Sequence, residues 1–419
     1  MYGFLSHLHC LLQVANLTVQ CSAMVPCLSI NSKAQSDCDC CARSKGCCDF
    51  VGSGVPTASI KIQCPVATAT RRSSHQSAQL SEKTTREVGQ RRAMASGETV
   101  VVTGASGFIG STLVRRLLDR GYDVRAGVLN PDDKAETGHL HALAAGAGEG
   151  RRLHVFRCDL LDGAALLDAA RGCSGVFHLA SPCTIDPVSD PQKQLIVPAV
   201  EGTLNVLRAA KEAGGVRRVV VTSSNAAIMP SPGWPAGEVP DERCWTDIDY
   251  CEKNGLWYSV SKTLAEKAAW KFAAEEGLDV VVVNPGTVMG PIIPPAINSS
   301  MSVLLRLLQG CTEEYKDIFI GAVHVEDVAL AHILVFENPS ASGRHLCIES
   351  ISHWSDLAAK VAELYPNYKV PKFPKDTQPG LERAEVGSKK LIALGVQFSP
   401  IEKIIRDAVE SLKSRGYIS

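Results

Sequence analysis

A tyrosine and a lysine spaced four residues apart have the residue types and the spacing for proton chemistry. Tyr258 and Lys262 occur in the run Tyr-Ser-Val-Ser-Lys. On the helix that the sequence predicts to about Glu276, residues four apart lie on one face. A free phenol has a pKa of about 10, and a neighbouring ammonium group favours the phenolate and lowers that pKa. We therefore predict that Tyr258 exchanges a proton with a substrate oxygen.

Ser224 is predicted to act with this pair. It ends a predicted strand in the run Thr-Ser-Ser, where its hydroxyl could hold a carbonyl oxygen by a hydrogen bond. Ser223, the residue before it, is the alternative. A Tyr-Lys pair alone is also typical of an ordinary surface helix, so the prediction depends on the serine and on a glycine-rich run upstream.

The glycine-rich run reads Thr-Gly-Ala-Ser-Gly-Phe-Ile-Gly over residues 103–110. Glycine at the first two positions lets the backbone approach a pyrophosphate, and the third glycine permits close packing of helix on strand. The run lies between a predicted strand and a predicted helix, which is the context that a dinucleotide site needs; a tight turn without a ligand is the alternative. We assign to the cofactor site the residues Gly104, Ser106, Gly107, Phe108, Ile109 and Gly110.

Further cofactor contacts are predicted at other strand ends. Asp159 and Leu160 follow the third predicted strand and could contact the adenine, although an aspartate here could also cap a turn. Pro285 ends the sixth predicted strand, where the backbone could hold the nicotinamide carboxamide. In this scheme Lys262 also binds the ribose hydroxyls, and Tyr258 lies beside the nicotinamide.

The end of the second predicted strand distinguishes NAD from NADP. It reads Gly-Val-Leu-Asn over residues 127–130, without an acidic residue for the ribose hydroxyls and without an arginine. The groups that could meet a 2′-phosphate are Arg125, Asn130 and Lys134, and Arg125 could equally be a solvated strand residue. NADP is the predicted cofactor and NAD the alternative.

Short β-branched runs that alternate with helical patterns predict the elements that position these residues. The predicted strands cover residues 99–102, 124–128, 153–157, 176–179, 218–222 and 280–284. This alternation is typical of βαβ units, and therefore of an α/β fold with a Rossmann-type, doubly wound parallel sheet that binds ligands at the carboxyl ends of its strands. Helices near 301–309, 325–336, 354–364 and 401–415, with one strand at 345–349, predict a smaller, mainly helical C-terminal lobe. We expect an NAD(P)-binding domain over residues 96–290 and a substrate lobe over 291–419, interleaved with the sheet.

Composition excludes several classes of protein. The chain has 419 residues and a formal net charge of −1, so no overall field favours nucleic acid or an anionic membrane. We found no apolar run of the roughly 18 residues that a membrane span needs. We expect a small-molecule substrate, no nucleic-acid or membrane partner and a cytoplasmic location, and the sequence does not indicate an oligomeric state.

The first 95 residues differ from the rest. Nine of the 16 cysteines precede residue 65, including the pair Cys38 and Cys41, but no second spaced pair or histidine accompanies them, and we assign no metal site. Arginine- and serine-rich stretches resemble a plastid or mitochondrial transit peptide. We favour the other interpretation, in which translation starts at Met94 and residues 1–95 are a disordered leader or a mis-annotated extension.

Eight stretches carry a family resemblance: VVVTGASGFIG, CDLLD, VFHLASP, VVVTSS, DERCWTDIDYC, WYSVSKTLAE, VVVNPGTVMGP and HVEDVALAH. From about Thr99 onwards the chain resembles the plant cinnamoyl-CoA reductase and dihydroflavonol 4-reductase group of extended short-chain dehydrogenases/reductases. The resemblance implies an NADP(H)-dependent reductase of a phenylpropanoid-type carbonyl, either a hydroxycinnamoyl-CoA thioester or an aromatic aldehyde or ketone. In that group the active serine lies 38 residues before the lysine, which is Ser224 here.

The chain departs from the group's pattern in three places, one stretch and two single positions. Cinnamoyl-CoA reductases resemble KNWYCYGK around the tyrosine, whereas this chain has GLWYSVSK. Met229 stands where dihydroflavonol reductases carry Asn or Asp, and its thioether cannot read ring hydroxyls as those groups do. Leu129 stands where the group has an arginine for the 2′-phosphate.

Three other functions stay open at the level of sequence. A reductase of dihydroflavonols or other ketones would use the same side chains. A sugar-nucleotide epimerase shares the fold and these residues, and it would retain tightly bound NAD. A dinucleotide-sensing regulator commonly lacks the tyrosine or the lysine, and both are present here.

Overall fold

The computed structural model of the protein describes residues 97–146, 153–183, 188–311, 319–373 and 383–419. The leader, the alternative start at Met94 and the cysteine pair near residue 40 lie outside the described residues. No helix within these ranges is long and apolar enough to cross a membrane.

Ten strands and eleven α-helices make up the described chain. The strands are β1 (Thr99–Thr103), β2 (Asp123–Val128), β3 (Leu153–Arg157), β4 (Gly175–His178), β5 (Arg218–Thr222), β6 (Val280–Pro285), β7 (Thr287–Met289), β8 (Phe319–His324), β9 (Gly343–Cys347) and β10 (Ser350–His353). The helices are α1 (Phe108–Arg120), α2 (Lys134–Gly146), α3 (Gly163–Ala170), α4 (Val197–Ala213), α5 (Ile248–Lys253), α6 (Trp257–Glu276), α7 (Ser299–Leu308), α8 (Val325–Glu337), α9 (Trp354–Leu364), α10 (Lys389–Ala393) and α11 (Ile401–Ser414).

Seven parallel strands form the main sheet, in the order β3-β2-β1-β4-β5-β6-β9. The order reverses between β1 and β4, so the crevice at their carboxyl ends is the expected ligand position for an open α/β sheet. The hydroxyl of Thr103 holds the two strand ends together, because it accepts hydrogen bonds from the backbone N–H groups of Leu179 and Ala180, each at 3.1 Å. The predicted Rossmann-type fold is confirmed.

The six predicted strands agree with the structure to within one residue at each end. These strands can be predicted from the sequence because strands of a parallel sheet are buried on both faces and therefore consist of continuous apolar runs. In β1 the side chains of Val100 and Val102 enter one core cluster and that of Val101 enters the other. Each fully buried valine contributes about 1.5–3 kcal/mol relative to an exposed one.

The C-terminal portion returns to the main sheet. Strand β9 pairs in parallel with β6 as the seventh strand, and α8 packs on the sheet beside α1, where Arg116 of α1 forms an ion pair of 2.6 Å with Glu326. A second sheet, of order β10-β8-β7, starts directly after β6. Residues beyond 290 therefore contribute strands to both sheets. The domain boundary at residue 290 stays a prediction.

Candidate active site

The glycine loop joins β1 to α1 at the crevice. Gly104 has a φ of +66°, and a Cβ there would lie 2.9 Å from the backbone nitrogen of Ala180. At Gly110 a Cβ would lie 2.1 Å from the carbonyl oxygen of Gly104. Both positions require glycine, because a side chain would clash with backbone atoms that cannot move independently.

The amino end of α1 fits a phosphate group. Its N-cap is Gly107, which has no side chain to satisfy the first N–H groups, and the first turn contains no acidic residue. These N–H groups and the helix dipole favour an anion. Phe108 packs its ring into the core and the half-buried Ile109 packs at its edge, so Phe108 could meet a cofactor only through its backbone. The loop therefore fits the pyrophosphate of a dinucleotide, as the sequence predicts.

Tyr258 and Lys262 lie on the first turns of α6, beside the ends of β4 and β5. The ammonium nitrogen of Lys262 lies 6.0 Å from the centre of the Tyr258 ring and 3.5 Å from the carbonyl oxygen of Thr222. Lys262 is only 7% exposed, so its charge is held at the carboxyl edge of the sheet. The helical spacing that the sequence shows thus brings both groups to the crevice.

The two serines after β5 have different surroundings. The hydroxyl of Ser223 donates to the carboxylate of Glu266 at 2.6 Å in the buried interior. Ser224 caps a single 3₁₀ turn, accepting from the N–H of Ala226 at 3.1 Å and donating to the amide oxygen of Asn225 at 3.3 Å, and its hydroxyl acts to lower the pKa of Tyr258. Of these two hydroxyls, Ser224 is the one that affects the pKa of Tyr258, and its role over that of Ser223 stays a prediction.

The titration of the pair differs from the sequence-based expectation. Burial raises the pKa of Tyr258 above its ordinary value, with the nearby Cys183 thiol adding to the rise and the hydrogen bond from Ser224 opposing it. Burial lowers the pKa of Lys262, and this is opposed by Cys183 and Glu266. In the protein without cofactor the phenol is therefore held neutral, because its desolvation outweighs the expected effect of the ammonium group. A neutral phenol is the form that donates a proton.

Cys183 is a site residue that the sequence reasoning missed. Its side chain is exposed and free, and its thiol acts to raise the pKa of Tyr258. The signal was its place directly after Pro182 in the segment that follows β4, a strand whose carboxyl end faces the crevice.

Glu266 is a second residue that the sequence did not reveal. It lies one turn after Lys262 on α6 and is 1% exposed. Its carboxylate accepts from Ser223, from the amide of Asn284 at 2.9 Å and from the guanidinium of Arg344, whose Nε lies 2.6 Å away. Arg344 also donates to the carbonyl oxygen of Ala227 at 2.9 Å. The network fixes the segment that carries Ser224 against α6.

The remaining predicted cofactor residues also lie at strand ends. Asp159 accepts from the N–H of Leu161 at 2.9 Å through one carboxylate oxygen, as a turn aspartate does. The carbonyl oxygen of Leu160 accepts from Asn205 at 3.0 Å. Pro285 is buried at the carboxyl end of β6. Their contacts with adenine and nicotinamide stay predictions.

The two basic residues proposed for a 2′-phosphate differ in position. Arg125 lies in the middle of β2, and its guanidinium donates to carbonyl oxygens at the end of α3, those of Ala169 at 2.7 Å and Arg171 at 2.8 Å. It caps that helix, and the structure does not bring it to the cofactor crevice. Lys134 is exposed at the first residue of α2, close after the end of β2.

Three of the buried histidines, His178, His324 and His332, have structural contacts. His178 bridges the hydroxyls of Thr103 and Thr203 at 3.0 and 3.1 Å. His324 caps α8 by accepting from the N–H of Glu326 at 3.1 Å. His332 is fully buried, with Nε2 2.7 Å from the hydroxyl of Thr222.

The chain is similar in sequence to a known family and to characterised enzymes. Residues 100–348 match the family described as the NAD dependent epimerase/dehydratase family. The chain belongs to that family. A cinnamoyl-CoA reductase from Medicago truncatula is 45% identical over 77% of this chain and 97% of its own length. One from Petunia hybrida is 44% identical over 77% of this chain and 94% of its own.

Similar solved structures agree with the fold and the cofactor class. Vestitone reductase from alfalfa superposes with a TM-score of 0.64 at 32% identity, over 76% of this chain and 99% of that one. A yeast methylglyoxal/isovaleraldehyde reductase complexed with NADPH also has a TM-score of 0.64, at 27% identity over 76% of this chain and 100% of that one. The family member described here is therefore an NAD(P)-dependent oxidoreductase that acts on a carbonyl group, and the predicted resemblance is confirmed.

Proposed function

We propose that the protein transfers hydride from NADPH to the carbonyl carbon of a phenylpropanoid-type substrate, a hydroxycinnamoyl-CoA thioester first of all. The observation that carries this proposal is the position of Lys262, which is 7% exposed and lies 6.0 Å from the centre of the Tyr258 ring and 3.5 Å from the carbonyl oxygen of Thr222, two residues before Ser224. These three groups lie at the carboxyl ends of β4 and β5, and the glycine loop that fits a pyrophosphate contacts Ala180, which follows β4. The nicotinamide cofactor, when bound, supplies the hydride.

Each side chain has a separate part in the proposed reaction. The hydroxyl of Ser224 orients the substrate by donating to its carbonyl oxygen. Tyr258, held as a neutral phenol, donates its proton to the same oxygen as negative charge develops there. Lys262 stabilises the phenolate that remains, because an ammonium group favours the charged form of a nearby phenol.

The outcome depends on the group attached to the carbonyl. A thioester would first give a tetrahedral hemithioacetal, which releases free CoA as its carbon–sulfur bond breaks and leaves an aldehyde. An aldehyde or ketone would give the alcohol directly. Named relatives support the thioester, since the two cinnamoyl-CoA reductases are 45% and 44% identical, whereas the tetraketide alpha-pyrone reductase of Arabidopsis thaliana is 39% identical.

The surroundings of Met229 favour a substrate with few ring hydroxyls. This side chain packs at the edge of an apolar cluster with Trp234 and Ile351. A thioether does not donate hydrogen bonds and accepts them only weakly, so a catechol-bearing dihydroflavonol would lose contacts there. Among the alternative functions we therefore place dihydroflavonol reduction second and epimerisation third.

The proposal also includes the organisation of the chain. Residues 96–290 would carry the cofactor, residues 291–419 would cover the substrate, and the enzyme would act in the cytoplasm on a small molecule. Support for this division is that the glycine loop, Ser224 and Lys262 all precede residue 290.

Consumption of NADPH by the purified full-length chain tests the function. Feruloyl-CoA, p-coumaroyl-CoA, cinnamaldehyde, phenylacetaldehyde and dihydroquercetin would be offered in parallel, with NADH controls. We expect turnover of the CoA esters with release of a free thiol in a 1:1 ratio to NADPH consumed. Turnover of only aldehydes or the ketone would contradict the thioester assignment, and copurified NAD without net reduction would favour an epimerase.

A further inference from the structure

The carboxylate of Glu136 lies at the end of β2, where the sequence shows no acidic residue. One of its oxygens accepts from the N–H of Leu129 at 2.9 Å and the other from the N–H of Asn130 at 2.9 Å. The hydroxyl of Ser106 also donates to it, at 3.0 Å. One carboxylate thus joins the segment after β2 to the glycine loop.

This is the region in which a Rossmann-type fold contacts the adenosine ribose. In such folds an acidic residue about 20 residues after the glycines hydrogen-bonds the ribose 2′-hydroxyl. Leu129 stands 19 residues after Gly110, and its side chain is 74% exposed, so it has no such group to offer. Glu136 reaches back to the same place from the following helix.

The position of Glu136 is fixed by the start of α2. The carboxylate of Asp133 accepts from the N–H of Ala135 at 2.8 Å, and the hydroxyl of Thr137 donates to the carbonyl oxygen of Asp133 at 2.9 Å. His139 connects the same helix to α1 through its Nε2, which lies 3.0 Å from the hydroxyl of Ser111. Glu136, in the first turn, is thereby turned toward the end of β2.

We propose that Glu136 sets the balance between NADH and NADPH. Its carboxylate is an internal anion that occupies the N–H groups of Leu129 and Asn130 and the hydroxyl of Ser106, the same donors that a 2′-phosphate would use. Two anions cannot share these donors, because a buried or half-buried like charge is unfavourable. A ribose hydroxyl, in contrast, can donate to the carboxylate. Glu136 therefore makes the preference for NADPH over NADH smaller than it would be without this carboxylate.

This inference rests on the proposed function only in that a dinucleotide binds at the glycine loop. Lys134, two residues earlier and exposed, is the basic group on this segment that could attract a 2′-phosphate once the carboxylate moves away. The side chain of Glu136 thus acts on cofactor choice and takes no part in hydride transfer.

Calorimetric titration with two matched fragments tests the inference without any hydride chemistry. Adenosine 2′,5′-bisphosphate and 5′-AMP differ only by the 2′-phosphate, and the measured quantity is the ratio of their Kd values. For Glu136→Gln we expect the bisphosphate to bind about tenfold more tightly relative to 5′-AMP than in the wild type. The control is Glu212→Gln, an exposed site near the end of α4 that carries the same charge change.

Glu136→Ala, which removes the whole group, should shift the ratio in the same direction, and thermal unfolding of each variant shows that it is folded. An unchanged ratio in both variants, with both fragments binding the wild type, would overturn the role of Glu136 and leave the proposed function intact. If neither fragment bound the wild type, the dinucleotide site and this inference would both be wrong. Loss of turnover with the ratio still shifted would contradict the proposed reaction alone.

Discussion

Arg344 and Glu266 form a buried ion pair in which Nε lies 2.6 Å from Oε1, with side chains 7% and 0% exposed. The pair joins β9, which lies late in the sequence, to α6, the helix that carries Tyr258 and Lys262. Because Glu266 also accepts from Ser223, the late strand helps to place the serine segment.

Replacing Arg344 by methionine should destabilise the fold strongly. Removing one partner of a buried pair leaves the other charge uncompensated, at a cost of about 3–5 kcal/mol. Urea denaturation of Arg344→Met measures this free energy of unfolding. Arg243→Met is the control, since the Arg243 side chain in its ion pair with Asp241 is 71% exposed and solvent screens such a pair, so its loss should be far smaller. Equal losses in the two variants would contradict a buried network.

The two neighbouring serines should respond differently to the same substitution. Ser224→Ala removes the hydroxyl that faces Tyr258 and should lower kcat by about 10²–10³-fold. Ser223→Ala leaves Glu266 with its other donors and should reduce stability by about 1–3 kcal/mol with little change in kcat. Steady-state rates and urea midpoints of both variants check this, and a larger kcat loss in Ser223→Ala would reverse the assignment.

His332 should make the fold sensitive to acid. Burial lowers the pKa of His332 to about 4 in the folded protein, whereas a histidine in the unfolded chain has a pKa of about 6.5. Between these values the unfolded state holds more protons, so this contribution to stability is present above pH 6.5 and is lost as the pH falls toward 4. From pH 7.5 to 4.5 the wild type should lose about 2 kcal/mol more than His332→Gln.

Urea midpoints at the two pH values measure that difference. His141→Gln serves as the control because His141 is exposed, and its loss should equal that of the wild type. Identical losses for His332→Gln and the wild type would show that His332 does not carry the effect.

The features that could be predicted from the sequence are those that depend on residues close together in the chain. Buried parallel strands are continuous β-branched runs, and the glycine loop and the Tyr258–Lys262 spacing are local in the chain. Contacts between distant residues were not predictable in this way. Arg344 meets Glu266 across 78 positions, and β9 joins the main sheet although its sequence neighbours belong to the smaller sheet.

Two errors of interpretation have specific physical reasons. The guanidinium of Arg125 was a candidate for phosphate, yet the end of α3 offers it three carbonyl oxygens. The pKa of Tyr258 was expected to fall beside an ammonium group, but burial raises it. Sequence spacing indicates which groups are neighbours, whereas desolvation depends on the complete packing.

Substitution of Tyr258 by phenylalanine tests the central claim most directly. The change removes only the hydroxyl, so kcat for NADPH-dependent reduction should fall by about 10²–10⁴-fold, while Kd for NADPH stays within a small factor of the wild type. Tyr122→Phe is the matched control. Tyr122 lies directly before β2, at the amino end of that strand rather than at the carboxyl ends that form the crevice, so this variant should keep the wild-type rate. A Tyr258→Phe enzyme with the wild-type rate would contradict the account, because the proton would then come from another group.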